Sequence, residues 1–89
     1  MITVTRFTAP WCAPCRMLSP MFKQMEIDMP DITFETIDVD EQPEVASENG
    51  VRSVPTVLIH NSDNDKIISL VGANSKNSYL SAISEVTEV

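Results

Sequence analysis

The 89-residue chain has only two cysteines, one histidine and six basic side chains. It also lacks any apolar run of the roughly 20 residues that a membrane-spanning helix needs. Each scarcity removes a class of function. Thirteen acidic groups against six basic ones leave a net charge of −7, which argues against nucleic acid, because phosphate binding needs a basic surface. The excess acidity keeps a small protein soluble. The amino terminus, "MITVTRF", has no basic leader followed by an apolar block and a cleavage site. The chain is therefore expected to stay where it is made, most simply in the cytosol. No repeat, linker or low-complexity segment interrupts it, so residues 1–89 are expected to form a single domain near the lower size limit for a self-sufficient core. Two cysteines do not make a disulfide framework. A bridge between Cys12 and Cys15 would close a very short loop, add little stability, and not persist as a structural staple in a reducing cytosol.

The apolar pattern predicts seven elements. "ITVTRF" (2–7) is rich in β-branched residues and reads as a strand. After Pro10 the period becomes helical from Ala13 to Asp28, with Leu18, Phe22, Met25 and Met29 along one face and Pro20 as an internal kink. Pro30 and Asp31 end that helix, and "ITFETIDV" (32–39) alternates as a second strand. Pro43 and Gly50 bracket a short helix. "VPTVLIH" starts a third strand near Thr56, "NSDND" is turn chemistry, and "KIISLV" completes a hairpin. Gly72 breaks the strand, and Ser75 caps a closing helix expected to bury Tyr79, Leu80, Ile83 and Val86. The order β-α-β-α-β-β-α implies an α/β fold: a compact four-stranded mixed sheet flanked by three helices. Its first two strands are parallel through a right-handed crossover.

The cysteines stand in "TAPWCAPCRM", at the junction between the first strand and the first helix. Unpaired N–H groups and the helix dipole favour an anion there, which lowers a thiol's pKa and makes Cys12 the exposed thiolate. Cys15, one turn deeper, is expected to be the shielded partner in a thiol–disulfide exchange. Pro14 is tolerated in a first turn, and Trp11 supplies a flat apolar flank. A zinc site would need four ligands, and the chain adds only one histidine to the two thiols. An iron–sulfur cluster shared by two chains would have four thiolates and stays open at this point. His60 is expected to be a solvated edge histidine. Met17, Met21, Met25 and Met29 are expected to fill core, and Asp38, Asp40, Glu41 and Glu44 to form a solvated acidic face.

"WCAPC" resembles the WCGPC site of the thioredoxin family with alanine for glycine, and "SVPT" (53–56) resembles that family's cis-proline loop. The resemblance runs on through "DEQPEVASENGVRSVPT" and "VGANSK" and covers nearly the whole chain. It implies the thioredoxin fold and a protein-disulfide reductase with Cys12 as attacking thiolate and Cys15 as resolving thiol. Pro55 would be the cis proline, Val54 the residue offering backbone bonds to a substrate strand, and Gly72 and Ala73 the edge of the docking groove, with Trp11 and Pro14 beside it. No metal or organic cofactor is implied, only a reversible Cys12–Cys15 disulfide. The implied partners are disulfide-containing proteins, with ribonucleotide reductase a family-level candidate, and thioredoxin reductase or glutathione as electron donor to a monomer. The alternatives are a glutathione-dependent glutaredoxin and a non-catalytic binding subunit.

Departures from the family accompany the likeness. The sequence starts at the family's second strand, as in compact, glutaredoxin-sized members from archaea and phages. Arg6 stands at the position of the family's buried carboxylate, Thr36 at that of the accompanying lysine, and Thr8 at that of an aromatic residue. A buried guanidinium is expected either to reach solvent along its stem or to pair with a carboxylate, Asp38 being the candidate. Close to the sulfurs, it would favour thiolate and raise the reduction potential.

Overall fold

Strand alternation decides which side chains meet the helices. A computed structural model describes residues 1–87, with β1 (Ile2–Thr8), α1 (Ala13–Asp28), β2 (Thr33–Asp38), α2 (Pro43–Glu48), β3 (Thr56–Asn61), β4 (Lys66–Val71) and α3 (Lys76–Thr87). The sheet order is β2-β1-β3-β4. β1 and β2 run parallel, whereas β3 is antiparallel to both β1 and β4. The expected element order and the mixed α/β sheet both appear.

Val4 pairs with Phe34 on one side and Ile59 on the other, so these residues point to the same face. There Val4, Val57 and Ile59 meet Leu18, Phe22 and Met25 of α1 and Tyr79, Ala82, Ile83 and Val86 of α3 in one core cluster. Phe22 and Tyr79 pack edge to face with ring centroids 5.1 Å apart, a favoured aromatic geometry. The opposite face carries Thr3 and Thr5 beside Leu58 and His60, around a shallow depression of about 340 Å³ that Asn49, just beyond α2, helps to line. Alternation of Ile2 and Val4 with Thr3 and Thr5 matches a sheet with one dry and one wet face over this half.

Four expectations need correction. Met17 is 78% exposed and Met25 is fully buried, while Met21 and Met29 pack only partly against the core. A four-residue spacing advances about 400° around a helix, so the methionines drift off the core face instead of forming a buried stripe. In α3, Ala82 rather than Leu80 joins the buried set, and Leu80 is partly exposed. His60 is not on a sheet edge: it lies in β3 between Thr3 and Ile67, with its Nε2 3.5 Å from the Asp65 carboxylate. Cys12, expected to be exposed, is buried, as described below.

Ser75 caps α3 as expected, its Oγ accepting the N–H of Ser78 at 3.2 Å. Gly72 has φ +84° and an added Cβ would meet nothing within 4 Å, so backbone conformation rather than crowding calls for glycine there. Its N–H donates to the carbonyl of Pro55 at 2.8 Å. Two residues on, the Asn74 N–H donates to the phenolic oxygen of buried Tyr79 at 3.1 Å. The core thus holds the loop that abuts Pro55. Tyr79→Phe keeps the ring packing but strands this amide, and should lower the unfolding free energy by about 1–2 kcal/mol. Urea denaturation measures it, and an unchanged midpoint would show that the bond contributes nothing.

Candidate functional site

β1 and β2 are parallel, so the residues that follow them, Ala9 and Val39, emerge at the same end of the sheet, where α1 begins. Cys12 is the N-cap of α1, extended at φ −93° and ψ 104°. Its N–H donates to the carbonyl of Ala9 at 3.1 Å, and its carbonyl accepts the first helical bond from Arg16 at 3.2 Å. Serine, threonine, aspartate or asparagine usually offers a side-chain oxygen at such a position. Here sulfur does so: Cys12 Sγ accepts the N–H of Cys15 at 3.2 Å. Pro14, between them, has no N–H to compete for that sulfur.

Cys12 and Cys15 are joined as a disulfide, with their Cα atoms 5.3 Å apart. Cys15 is fully buried and Cys12 is 4% exposed. The contrast in access has the expected direction, but Cys12 is no freely exposed thiol. Ala9, Val39 and Val54 pack around the pair and exclude water from it.

Trp11 is 67% exposed and is fixed by a bond from its Nε1 to Asp40 Oδ2 at 2.9 Å. Asp40 is in turn held by its own N–H, which donates to Asp38 Oδ1 at 2.8 Å. Across the loop, Arg16 Nη1 donates to the carbonyl of Pro10 at 2.7 Å. Trp11, Val39, Ala46, Val51, Arg52, Ser53 and Val54 line a depression of about 130 Å³ beside the sulfurs. The Val54–Pro55 peptide is cis, Pro55 is buried, and the Thr56 hydroxyl ties the turn by donating to the Ser53 carbonyl at 2.7 Å.

Of the residues singled out in the sequence, Cys12, Cys15 and Val54 come into one cluster, and Trp11 shares the depression with Val54. Gly72 joins through its bond to Pro55. Pro14 and Ala73 are exposed and line no part of the depression. Ala9, Val39 and Asp40 are site residues that sequence reasoning missed. The first two were accessible from the parallel pairing alone, since ligand sites gather at the carboxyl ends of parallel strands. Asp40 gave no signal beyond its acidic neighbours. Among the described residues, no group of three or more His, Cys, Asp or Glu side chains could hold a metal ion. No helix among them is long and apolar enough to cross a membrane.

Arg6 does not pair with Asp38. Thr36 is its register partner, and Asp38 lies two residues further along β2, where its carboxylate accepts the N–H groups of Asp40 and Glu41. Arg6 instead turns under α1 and donates from Nη1 to Ser19 Oγ at 3.0 Å, with Cζ 5.2 Å from the Phe22 ring centroid. Burial lowers its pKa below the ordinary guanidinium value, against the raising influence of Glu26 and Tyr79. A guanidinium nevertheless remains charged at neutral pH.

A thioredoxin family model matches residues 1–85. Thioredoxin H5 of rice is 44% identical over 71 residues, covering 80% of this chain and 52% of that protein. The chain thus spans about half the length of that relative. Thioredoxin-1 of fission yeast is 38% identical over 73 residues, covering 82% of this chain and 70% of the relative. Among solved structures, a mutant thioredoxin from Halobacterium salinarum superposes with a TM-score of 0.86 at 33% identity, over 99% of this chain and 76% of that one. Oxidised mitochondrial thioredoxin 3 from Saccharomyces cerevisiae gives 0.84 at 32% identity, over 94% and 77%.

The unequal access of the two sulfurs has a direct test. After reduction, brief iodoacetamide treatment and peptide mapping should find Cys12 labelled well before Cys15. Half-maximal reactivity should fall below the pH of about 8.5 at which a free cysteine titrates. Preferential labelling of Cys15 would reverse the assignment.

Proposed function

Because the chain belongs to the thioredoxin family, we propose that it reduces protein disulfides through the Cys12–Cys15 dithiol. The observation that carries this reading is the Cys15 N–H aimed at Cys12 Sγ at 3.2 Å, within a pair able to form a disulfide. A donor fixed at that position stabilises negative charge on Cys12 without reorganising when the charge develops.

The Cys12 thiolate attacks one sulfur of the substrate disulfide, forming a mixed disulfide and expelling the second substrate sulfur as a thiolate, which takes a proton from solvent. Cys15 then loses its proton and attacks Cys12 Sγ, and the first substrate sulfur leaves. Two electrons pass to the substrate, and the Cys12–Cys15 bond is the oxidised product. The shielded position of Cys15 suits a thiol that acts only after the first has been captured. The apolar depression beside Trp11 and Val54 suits the flank of an extended substrate segment, and the cis Val54–Pro55 turn is the region where such a segment would pair with backbone. Gly72 and Ala73 would border it.

The dithiol itself carries the electrons, so the reaction needs no organic cofactor. The electron donor is proposed to be a thioredoxin reductase, and the setting a reducing cytosol in which the protein acts as a monomer. Ribonucleotide reductase is a candidate target. The relatives do not favour the glutathione-dependent or binding-subunit alternatives.

Insulin reduction, followed by turbidity, should proceed with NADPH and thioredoxin reductase and much more slowly with glutathione and its reductase. Equal rates would favour the glutaredoxin reading, and no turnover with either donor would favour the binding subunit. Cys15→Ser should accumulate mixed disulfides with substrate through Cys12, whereas Cys12→Ser should trap none. Trapping by Cys12→Ser alone would refute the order of attack.

A further inference from the structure

Arg6 is the one basic side chain of the six that is not exposed. It lies on the covered face of β1, between Val4 and Thr8, where alternation calls for an apolar residue. Its Nε is buried without a hydrogen-bond partner, and its head is held only by Ser19 Oγ and the face of Phe22. No described carboxylate lies within ion-pair distance of it. The charged or titratable groups facing it are Lys23 and Glu26 of α1, Glu35 of β2 and Tyr79 of α3. Apart from Tyr79, they line a groove of about 330 Å³ between α1 and β2 with Arg6, Ser19 and Phe22. An unpaired buried donor on a partly desolvated cation is costly, and a methionine could fill the same stem space against Phe22 without that cost.

The position relates the charge to the dithiol. Ser19 follows Cys15 by four residues, so the two lie on one stripe of α1, with Cβ atoms about 6 Å apart. The half-buried guanidinium bonded to Ser19 therefore lies on the side of α1 that carries the fully buried sulfur, where charges are screened less than in open water.

Reduction of the disulfide takes up two electrons and, above the pKa of Cys12, one proton, giving one thiolate and one thiol. A unit of negative charge appears that the disulfide lacked, and a fixed cation lowers the energy of that product only. Building on the oxidoreductase reading above, we infer that Arg6 is a redox-tuning residue whose half-buried charge shifts the Cys12–Cys15 equilibrium toward the reduced, thiolate-bearing form. It touches neither substrate nor sulfur and acts through the field at the thiols. Glu26 and Glu35 offset part of that field and Lys23 adds to it, so the effect is a fraction of that of a bare charge.

The test compares wild type with Arg6→Met, Arg6→Gln and Arg6→Lys in glutathione redox buffers over a range of pH, with thiols counted by alkylation and mass. Arg6→Met should move the equilibrium roughly three- to tenfold toward the disulfide, tenfold being about 30 mV. It should also raise the pH of half-maximal Cys12 alkylation. Arg6→Lys should restore both, and oxidised Arg6→Met should resist urea at least as well as wild type. A purely structural arginine predicts the reverse: lower stability with unchanged equilibrium and pH profile. That result would overturn the inference. Should Arg6→Met fail to fold, Arg6→Lys against Arg6→Gln decides, and identical constants in that pair would overturn it as well. A wild-type protein that forms no reversible disulfide at all would overturn the oxidoreductase reading itself, a different outcome from a reversible bond indifferent to Arg6.

Discussion

The bond from the Cys15 amide to the Cys12 sulfur is the contact on which the rest of the site depends. It exists because α1 starts at Ala13, because Cys12 is extended, and because Pro14 contributes no N–H of its own. The first two conditions follow from where the sheet ends, and the third from the proline itself. Parallel pairing of Thr8 with Asp38 brings the ends of β1 and β2 level, and Ala9 and Val39 then form the apolar floor under the sulfurs. A helix with its axis at this edge presents unpaired N–H groups to whatever occupies the cap. With an oxygen there, the result would be a helix start. With sulfur, the same geometry becomes a place where a thiolate is favoured.

Holding that geometry is the work of a core far from the sulfurs. Tyr79 packs edge-on against Phe22 of α1 and accepts the Asn74 N–H from the loop after β4. The same loop places the Gly72 N–H on the Pro55 carbonyl. The helix that carries the cysteines and the turn that faces them are thus both anchored to one aromatic pair. The rim, by contrast, rests on single exposed bonds: Trp11 to Asp40, and Arg16 to the Pro10 carbonyl. Bonds of this kind are individually weak in water, so the rim is held less firmly than the sulfurs.

The fold was legible wherever period and punctuation agreed. β1, α1 and the β3–β4 hairpin have clear alternation, helical spacing or turn residues, and their bounds differ from expectation by little. Where the reading failed, geometry beyond the local pattern decided. The methionines share a four-residue spacing, yet helical drift carries Met17 to 78% exposure and buries Met25. His60 sits next to turn residues in sequence, but β3 is an interior strand of the sheet. The partner of Arg6 depended on register: Asp38 was a reasonable candidate on the neighbouring strand, but it lies two residues past Thr36 and is engaged by its own turn. The cysteine pair, Val54 and Trp11 could be chosen from motif alone. Asp40 could not, because what makes it part of the site is a bond from Trp11 between the loops that follow β1 and β2.

Three choices in this chain run against local stability, and two of them meet at the carboxyl end of β1. Cysteine stands where an oxygen cap would serve the helix better. A tryptophan remains 67% exposed, although its ring would contribute most inside a core. One turn further down α1, a guanidinium with an unpaired Nε occupies an apolar strand position. Elsewhere Ser75 caps α3, glycine occupies the positive-φ position at 72 and threonines line the wet face of β1, although Pro20 lies inside α1 and Asp65 takes a positive φ of 57°. Departures that lie close to one pair of sulfurs fit a site whose residues answer to chemistry as well as to stability. By this criterion the half-buried Arg6 groups with Cys12 and Trp11, in keeping with the tuning role inferred for it.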